Sequence, residues 1–220
     1  QIKKMLDVAL LQPTATAAQI VSLAETIAAE QYGQVCVNSW HVSRAADVLR
    51  GSGARVVACV GFPMGAAATG VKVYETQGAI ADGADEIDMV LNLGAFLGGD
   101  ITYAAADIRA VVEAASGRPV KVIIETPLLS PDQKRDAARL VQDAGGAFVK
   151  TCTGFSPDPV ALYEDVRLIK QSIHPAMGIK ASGRVGNYFR FVSMVEAGAT
   201  RVGLVLEQAR EILRGWEATQ

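Results

Sequence analysis

The feature that most limits what this chain can fold into is a recurrence. Gly-Ala stands directly before an apolar run four times, at Gly53-Ala54, Gly83-Ala84, Gly146-Ala147 and Gly198-Ala199. That pairing is expected where a helix ends on glycine and the chain turns tightly back into a sheet. Strand-like runs cover residues 6–10, 34–38, 55–60, 86–92 and 120–125, then a run holding Lys150, a run holding Lys180, and 200–204. A segment with helical spacing follows each, over about 17–28, 41–50, up to about 82, from Asp100, from Ser130 to Gly145-Gly146, and over about 159–172, 187–196 and 207–216. Asp100 predicts a helix N-cap, and Ser130-Pro131-Asp132-Gln133 predicts a capping box with proline in the first turn. Eight such units with short connections predict an α/β fold, a TIM (β/α)8 barrel, as a single domain over 1–220. A doubly wound sheet is the runner-up, but no Gly-x-Gly-x-x-Gly follows the first strand.

Composition narrows the function classes. Half of the 220 residues are hydrophobic and the formal net charge is −2 with both signs interspersed, which predicts neither a nucleic-acid nor a membrane partner. No apolar run reaches the roughly 18 residues of a membrane span, and Gln1-Ile2-Lys3-Lys4 leads into no secretory signal. A cytoplasmic location is therefore expected. Cys36, Cys59 and Cys152 are odd in number and lie in strand-like runs, so reduced thiols are expected rather than disulfides or a zinc site.

The chemistry concentrates in Phe148-Val149-Lys150-Thr151-Cys152-Thr153-Gly154-Phe155 and Gly178-Ile179-Lys180-Ala181-Ser182-Gly183. Lysine is rarely buried without a partner or a job. Along a barrel strand every second residue faces the lumen, and the site lies at the carboxyl ends. Counting by twos puts Lys150 with Phe148 and Cys152, Lys180 with Gly178 and Ser182, Asp88 with Glu86 and Asn92, Lys121 with Ile123 and Glu125, and Cys36 with Asn38. The bland alternatives are a satisfied ion pair of Lys121 with Asp88 or Glu125, and a Lys180 that snorkels outward. On the catalytic reading, a Schiff-base enzyme needs a neutral amine, a neighbouring cation to keep it neutral, and an acid/base. Lys150 suits the first role, with Thr151 and Thr153 beside it. Lys180 suits the second and Asp88 the third, and neither cofactor nor metal is required. His41 and His174 fall at helix or helix-end positions, where a surface role is expected.

Several stretches then match one family. Asp7, Val35-Cys36-Val37-Asn38, Gly61-Phe62-Pro63-Met64-Gly65, Gly83-Ala84-Asp85-Glu86-Ile87-Asp88-Met89-Val90, Lys121-Val122-Ile123-Ile124-Glu125-Thr126 and the two lysine motifs resemble deoxyribose-phosphate aldolases in order and spacing. The resemblance implies a class I aldolase joining acetaldehyde to glyceraldehyde 3-phosphate, or reversing that reaction. It implies that Lys150 forms the imine, Lys180 lowers its pKa, and Asp88 moves protons through water. Asp7 and Lys121 become supporting residues, and Cys36 lies near the pocket. Thr151, Gly154, Gly183 and Gly203 become contacts to an aldehyde or sugar phosphate, and Arg184, which stands where members carry a glycine, is a further candidate contact that restores charge from a shifted position. A homodimer is the oligomer expected.

Four departures touch the phosphate end. Members usually carry Lys-x-x-Gly-Gly-Ile/Val-Arg after the seventh strand, where this chain reads Lys180-Ala181-Ser182-Gly183-Arg184-Val185-Gly186. Serines or glycines usually follow the eighth strand, where this chain has Gly203-Leu204-Val205-Leu206. The usual Asp-His-Thr-Leu-Leu-Lys-Pro is Asp7-Val8-Ala9-Leu10-Leu11-Gln12-Pro13. The alternatives to the parent activity are an imine aldolase for a different or non-phosphorylated aldehyde, and a non-catalytic binding barrel. Members also tend to end in a tail that reaches the phosphate, where this chain reads Glu217-Ala218-Thr219-Gln220 without a tyrosine.

Overall fold

A computed structural model describes residues 1–219, so Gln220 lies outside the described residues. Eight strands, β1 (Leu6–Leu10), β2 (Gln34–Asn38), β3 (Arg55–Val60), β4 (Glu86–Val90), β5 (Val120–Ile123), β6 (Phe148–Lys150), β7 (Gly178–Ser182) and β8 (Arg201–Leu204), pair in sequence order and close on themselves. Every pairing is parallel, including β8 back to β1. This is the (β/α)8 barrel that the recurrence predicts. Among the described residues no helix is long and apolar enough to cross a membrane.

Ten helices accompany the strands: α1 (Ile2–Met5), α2 (Ala17–Ala29), α3 (Val42–Leu49), α4 (Thr69–Ala81), α5 (Leu93–Leu97), α6 (Ile101–Ala114), α7 (Pro131–Asp143), α8 (Tyr163–Ser172), α9 (Tyr188–Ala197) and α10 (Leu206–Glu217). The caps are where local chemistry asks for them. Asp100 accepts the Tyr103 N–H at 3.0 Å, and Ser130 with Gln133 forms a reciprocal capping box. Gly198 ends α9 in the left-handed region (φ 117°), which a side chain would strain. Two short helices, α1 and α5, lie outside the regular alternation, and at four and five residues they are too short for periodicity to reveal. The helix expected from about residue 159 begins instead at Tyr163, because Pro157 and Pro159 hold the preceding segment in a loop.

The strands divide their side chains unequally. Val8, Val35, Val37, Val56, Ala58, Ile87, Met89, Val122, Val149, Ile179 and Val202 turn outward into the main hydrophobic core shared with the helices. The lumen holds a small apolar cluster of Cys36, Val57 and Cys59, and beside it an unusual number of buried charged groups, among them Asp7, Glu86, Asp88, Lys121, Lys150 and Lys180. A sheet buried on both faces normally reads as continuous hydrocarbon. The polar inner face is therefore the departure to explain.

Candidate active site

Four neighbouring strands send ionisable groups into the lumen in registers that bring them together: Asp88 on β4 lies beside Lys121 on β5, and Lys150 on β6 beside Lys180 on β7. Asp88 is the hub. Its Oδ1 accepts from Lys121 Nζ at 2.9 Å, and its Oδ2 accepts from Lys150 Nζ and Lys180 Nζ, each at 2.7 Å. Asp7 on β1 accepts from Lys180 through Oδ2. One layer below, Glu86 meets Lys121 and Arg55, each at 2.7 Å, and Arg201 at 3.7 Å. Two missing side chains make room. A Cβ on Gly203 would lie 3.0 Å from Lys180 Cε, and one on Gly178 would lie 2.2 Å from the Phe148 ring. The outward-snorkelling alternative for Lys180 is thus excluded, since only 1 % of that residue is exposed.

Three ammonium groups face three carboxylates, Asp7, Glu86 and Asp88, all of them buried, so proton positions follow from pairing. Burial raises the Asp88 carboxyl, but Lys121, Lys150 and Lys180 together outweigh it and hold the group well below the usual range. Burial lowers the Lys180 ammonium, yet Asp7 and Asp88 outweigh that and hold it well above the ordinary lysine value. Lys180 lowers Lys150, the direction expected of it, but it does not act alone. Burial and the Lys180 charge do push Lys150 down, but Asp88 pulls it up, and the net shift is upward. The sequence places the two cations but does not reveal that they share one carboxylate oxygen. That sharing offers a direct route to a nucleophile. If the Lys150 proton moves across 2.7 Å to Asp88, a neutral amine and a neutral acid remain, and Lys180 keeps Asp7 as its counter-ion.

Above this layer a cavity of about 170 Å³ opens at the carboxyl ends of the strands, with Lys150 and Lys180 among the residues that line it. Gly154, Gly183, Arg184 and Gly203 also line it, as expected of substrate contacts. Asp7, Lys121 and Cys36 do not reach it; they lie beneath the lysines as supports. Cys36 Sγ is 3.6 Å from Cys59 Sγ and 4.0 Å from Asp88 Oδ2. Thr151 is a correction: its hydroxyl donates to the Ser182 carbonyl at 2.8 Å and accepts the Ser182 N–H at 2.9 Å, which ties the end of β6 to β7 away from the cavity. Cys152 likewise packs its sulfur against the Ser182 carbonyl, and burial pushes its thiol up to about 12. Thr153 takes the cavity-facing place instead, because β6 ends at Lys150 and alternation ends with it.

Other charged groups had no site role assigned from the sequence. Arg201 lies two residues before Gly203 on β8 and was legible by the same count. Glu125, whose backbone is left-handed (φ 53°), accepts from the Thr153 N–H and hydroxyl and from Ser156, at the base of a larger cleft of about 250 Å³ across Phe155. That cleft carries no lysine. Lys72 and Asp107, on α4 and α6, form a fully buried ion pair at 2.6 Å, and Lys72 also holds the Val90 carbonyl. His41 is buried, where a surface place was expected, and burial lowers its pKa; His174 is exposed. Neither histidine lines the lysine cavity.

An amine poised beside its own proton acceptor, at the carboxyl end of a closed barrel, serves carbonyl chemistry, and the class so defined is the class I aldolase barrel. Comparison with known proteins narrows that class. The sequence model described as DeoC/LacD family aldolase matches residues 4–205. A deoxyribose-phosphate aldolase of Macrococcus caseolyticus is 45% identical over 217 residues, covering 99% of this chain and 97% of the relative. The solved structure described as "QR15, an Aldolase" superposes with a TM-score of 0.93 at 33% identity, covering 100% of this chain and 99% of that one. A deoxyribose phosphate aldolase from Aeropyrum pernix, described as having a unique tetrameric structure, gives 0.89 at 26% identity, covering 100% and 92%. The chain belongs to the DeoC/LacD aldolase family.

Proposed function

We propose that this chain is a class I aldolase that reversibly cleaves 2-deoxy-D-ribose 5-phosphate to acetaldehyde and glyceraldehyde 3-phosphate through an imine on Lys150. The observation that carries the reading is the shared oxygen: Lys150 and Lys180 both lie 2.7 Å from Asp88 Oδ2. Lys150 passes its proton to Asp88 and attacks the aldehyde carbon of the open-chain sugar. Asp88 returns that proton to the carbinolamine hydroxyl, which leaves as water and gives a protonated imine and an ionised Asp88. The hydroxyl on the third carbon then loses its proton, through water, to the carboxylate. The bond between the second and third carbons breaks, its electrons flow into the imine, and the three-carbon aldehyde leaves. Protonation of the enamine and hydrolysis release acetaldehyde and restore the amine.

Lys180 contributes twice. Its charge opposes a second charge on Lys150, and its pairing with Asp7 leaves it in place when Asp88 takes a proton. Lys121 fixes the other oxygen of Asp88, so the accepting oxygen faces the two lysines. The tetramer described for the Aeropyrum pernix relative supports a homo-oligomer. Three free buried cysteines and a small polar substrate support a cytoplasmic setting.

The test is acetaldehyde release from 2-deoxyribose 5-phosphate by wild type and by Lys150→Leu. The variant keeps its fold, because Asp88 retains Lys121 and Lys180 as partners. It should lose at least about a thousandfold in kcat. A variant that turns over at the wild-type rate contradicts the assignment.

A further inference from the structure

Glu125 is a buried carboxylate that the imine chemistry leaves without a task. Only 4% of the residue is exposed, and it stands just past the end of β5. Asp7 and Asp88 pair with lysines, and Glu86 with a lysine and two arginines. Among the described residues, the hydrogen bonds that the Glu125 carboxylate accepts all come from uncharged groups of one loop. The Thr153 N–H reaches both oxygens, at 3.2 and 3.3 Å, the Thr153 hydroxyl donates to Oε2 at 2.6 Å, and the Ser156 hydroxyl donates to Oε1 at 3.2 Å. Thr153 Oγ1 in turn accepts the Phe155 N–H at 3.0 Å. A carboxylate buried without a counter-ion is costly to keep.

The backbone is shaped to deliver it. The Ile124 N–H donates to the Lys150 carbonyl at 3.0 Å and the Thr126 N–H to the Thr151 carbonyl at 2.9 Å. Donors two residues apart thus meet acceptors one residue apart, and the extra residue between them is Glu125, in the left-handed region (φ 53°). A backbone of that kind strains any residue but glycine and persists where the surrounding structure over-determines it. Two costs therefore fall on one residue, and both serve to hold the loop after Lys150. Thr153, Gly154 and Phe155 of that loop line the lysine cavity, while Thr153 and Phe155 also line the larger cleft behind. The loop has open space on two sides, and residues 151–162 lie in neither strand nor helix.

On these grounds, and resting on the lysine-imine reading above, we propose that Glu125 is a positioning residue that sets the Thr153–Phe155 wall against the part of the sugar beyond the bond that breaks. A five-carbon sugar bonded to Lys150 extends along this wall, whereas acetaldehyde on the same amine extends by one methyl group. Glu125→Gln keeps the shape but leaves one acceptor oxygen where the two donors of Thr153 and the Ser156 hydroxyl converge, and turns an amide donor toward the rest. The wall loses its anchor, while Lys121, Lys150 and Lys180 keep their contacts to Asp88.

The test compares wild type with Glu125→Gln in two assays: kcat/KM for 2-deoxyribose 5-phosphate, and borohydride trapping of acetaldehyde on Lys150 across acetaldehyde concentration and pH. The sugar should lose about tenfold or more in kcat/KM. The half-saturating acetaldehyde concentration and the pH midpoint of trapping should match wild type. Thr153→Val keeps the carboxylate but removes the hydroxyl that joins it to the Phe155 N–H, and should show the same split with a smaller loss. A sugar kcat/KM within about twofold of wild type in Glu125→Gln overturns the inference. So does trapping that weakens in proportion to turnover, which is the mark of a loosened fold. If Glu125→Gln does not fold, the same two outcomes in Thr153→Val decide the matter. An ethyl group trapped on Lys150 in wild type keeps the imine reading whichever way the split falls, and its absence removes that reading and the inference together.

Discussion

Replacing Asp88 by Asn removes the single group on which Lys121, Lys150 and Lys180 converge. Lys121 keeps Glu86 at 2.7 Å and Lys180 keeps Asp7, so Lys150 alone loses its only carboxylate partner. An unpaired buried charge costs about 3–5 kcal/mol. At roughly 2–4 °C per kcal/mol for a chain of this size, the melting temperature should fall by about 6–20 °C if Lys150 stays charged. It has an escape, because burial and the Lys180 charge, no longer opposed, both favour the neutral amine. In wild type the Lys150 pKa is raised on folding, so its stabilisation is fully present below the unfolded lysine value and is lost as pH rises through the folded one. In the variant the folded value drops below the unfolded one. Lys150 then penalises folding at low pH, and the penalty fades as pH climbs through its new pKa. Asp88 itself does not blur this window, since its own contribution is lost only as pH falls through a value well below the usual carboxylate range. Thermal melts of both proteins at about pH 6 and about pH 9 should show the gap narrowing toward high pH. Imine trapping in the variant should reach half its maximum at lower pH than in wild type, although turnover falls with loss of the shuttle. A gap that stays constant or widens, or a trapping profile that moves upward, would refute the claim that Asp88 governs the charge on Lys150.

Replacing Lys180 by Met removes a charge that pushes Lys150 down, so the pH profile of imine trapping should shift upward; an unmoved profile would show the two amines to be uncoupled. Lys72→Met leaves Asp107 buried without its counter-ion and should cost about 3–5 kcal/mol by chemical denaturation, while the double change Lys72→Met with Asp107→Leu recovers most of it. Thr151→Val strips Ser182 of a donor and an acceptor and should cost about 1–3 kcal/mol with KM unchanged, whereas a raised KM would return Thr151 to the substrate contacts.

The barrel was legible because its signal is periodic and repeated. Strand alternation alone put Lys150, Lys180, Asp88, Lys121 and Cys36 on the inner face, and all five are there. The count failed one residue past the end of β6. Cys152 was placed with Lys150, but the chain leaves the sheet after Lys150, and Thr153 faces the cavity. The Lys72–Asp107 pair gave no signal, since two charged residues 35 positions apart on separate helices announce nothing until the helices pack. The pull of Asp88 on Lys150 was not legible for a similar reason. The two lysine motifs reveal a pair of cations, whereas the sign of the shift depends on a carboxylate 62 residues away that is also bonded to Lys180. His41 was expected at the surface because helix ends usually are, but the short turn Ser39–His41 carries it inward.

One amine among three in the same charged cluster is assigned the covalent step, and reduction of the acetaldehyde imine with borohydride followed by peptide mass spectrometry tests that assignment most directly. The account predicts a single ethyl group on the peptide carrying Lys150, none on those carrying Lys121 or Lys180, and loss of labelling in Lys150→Leu. An ethyl group on Lys180 or Lys121, or an unmodified chain after exhaustive reduction, would contradict it.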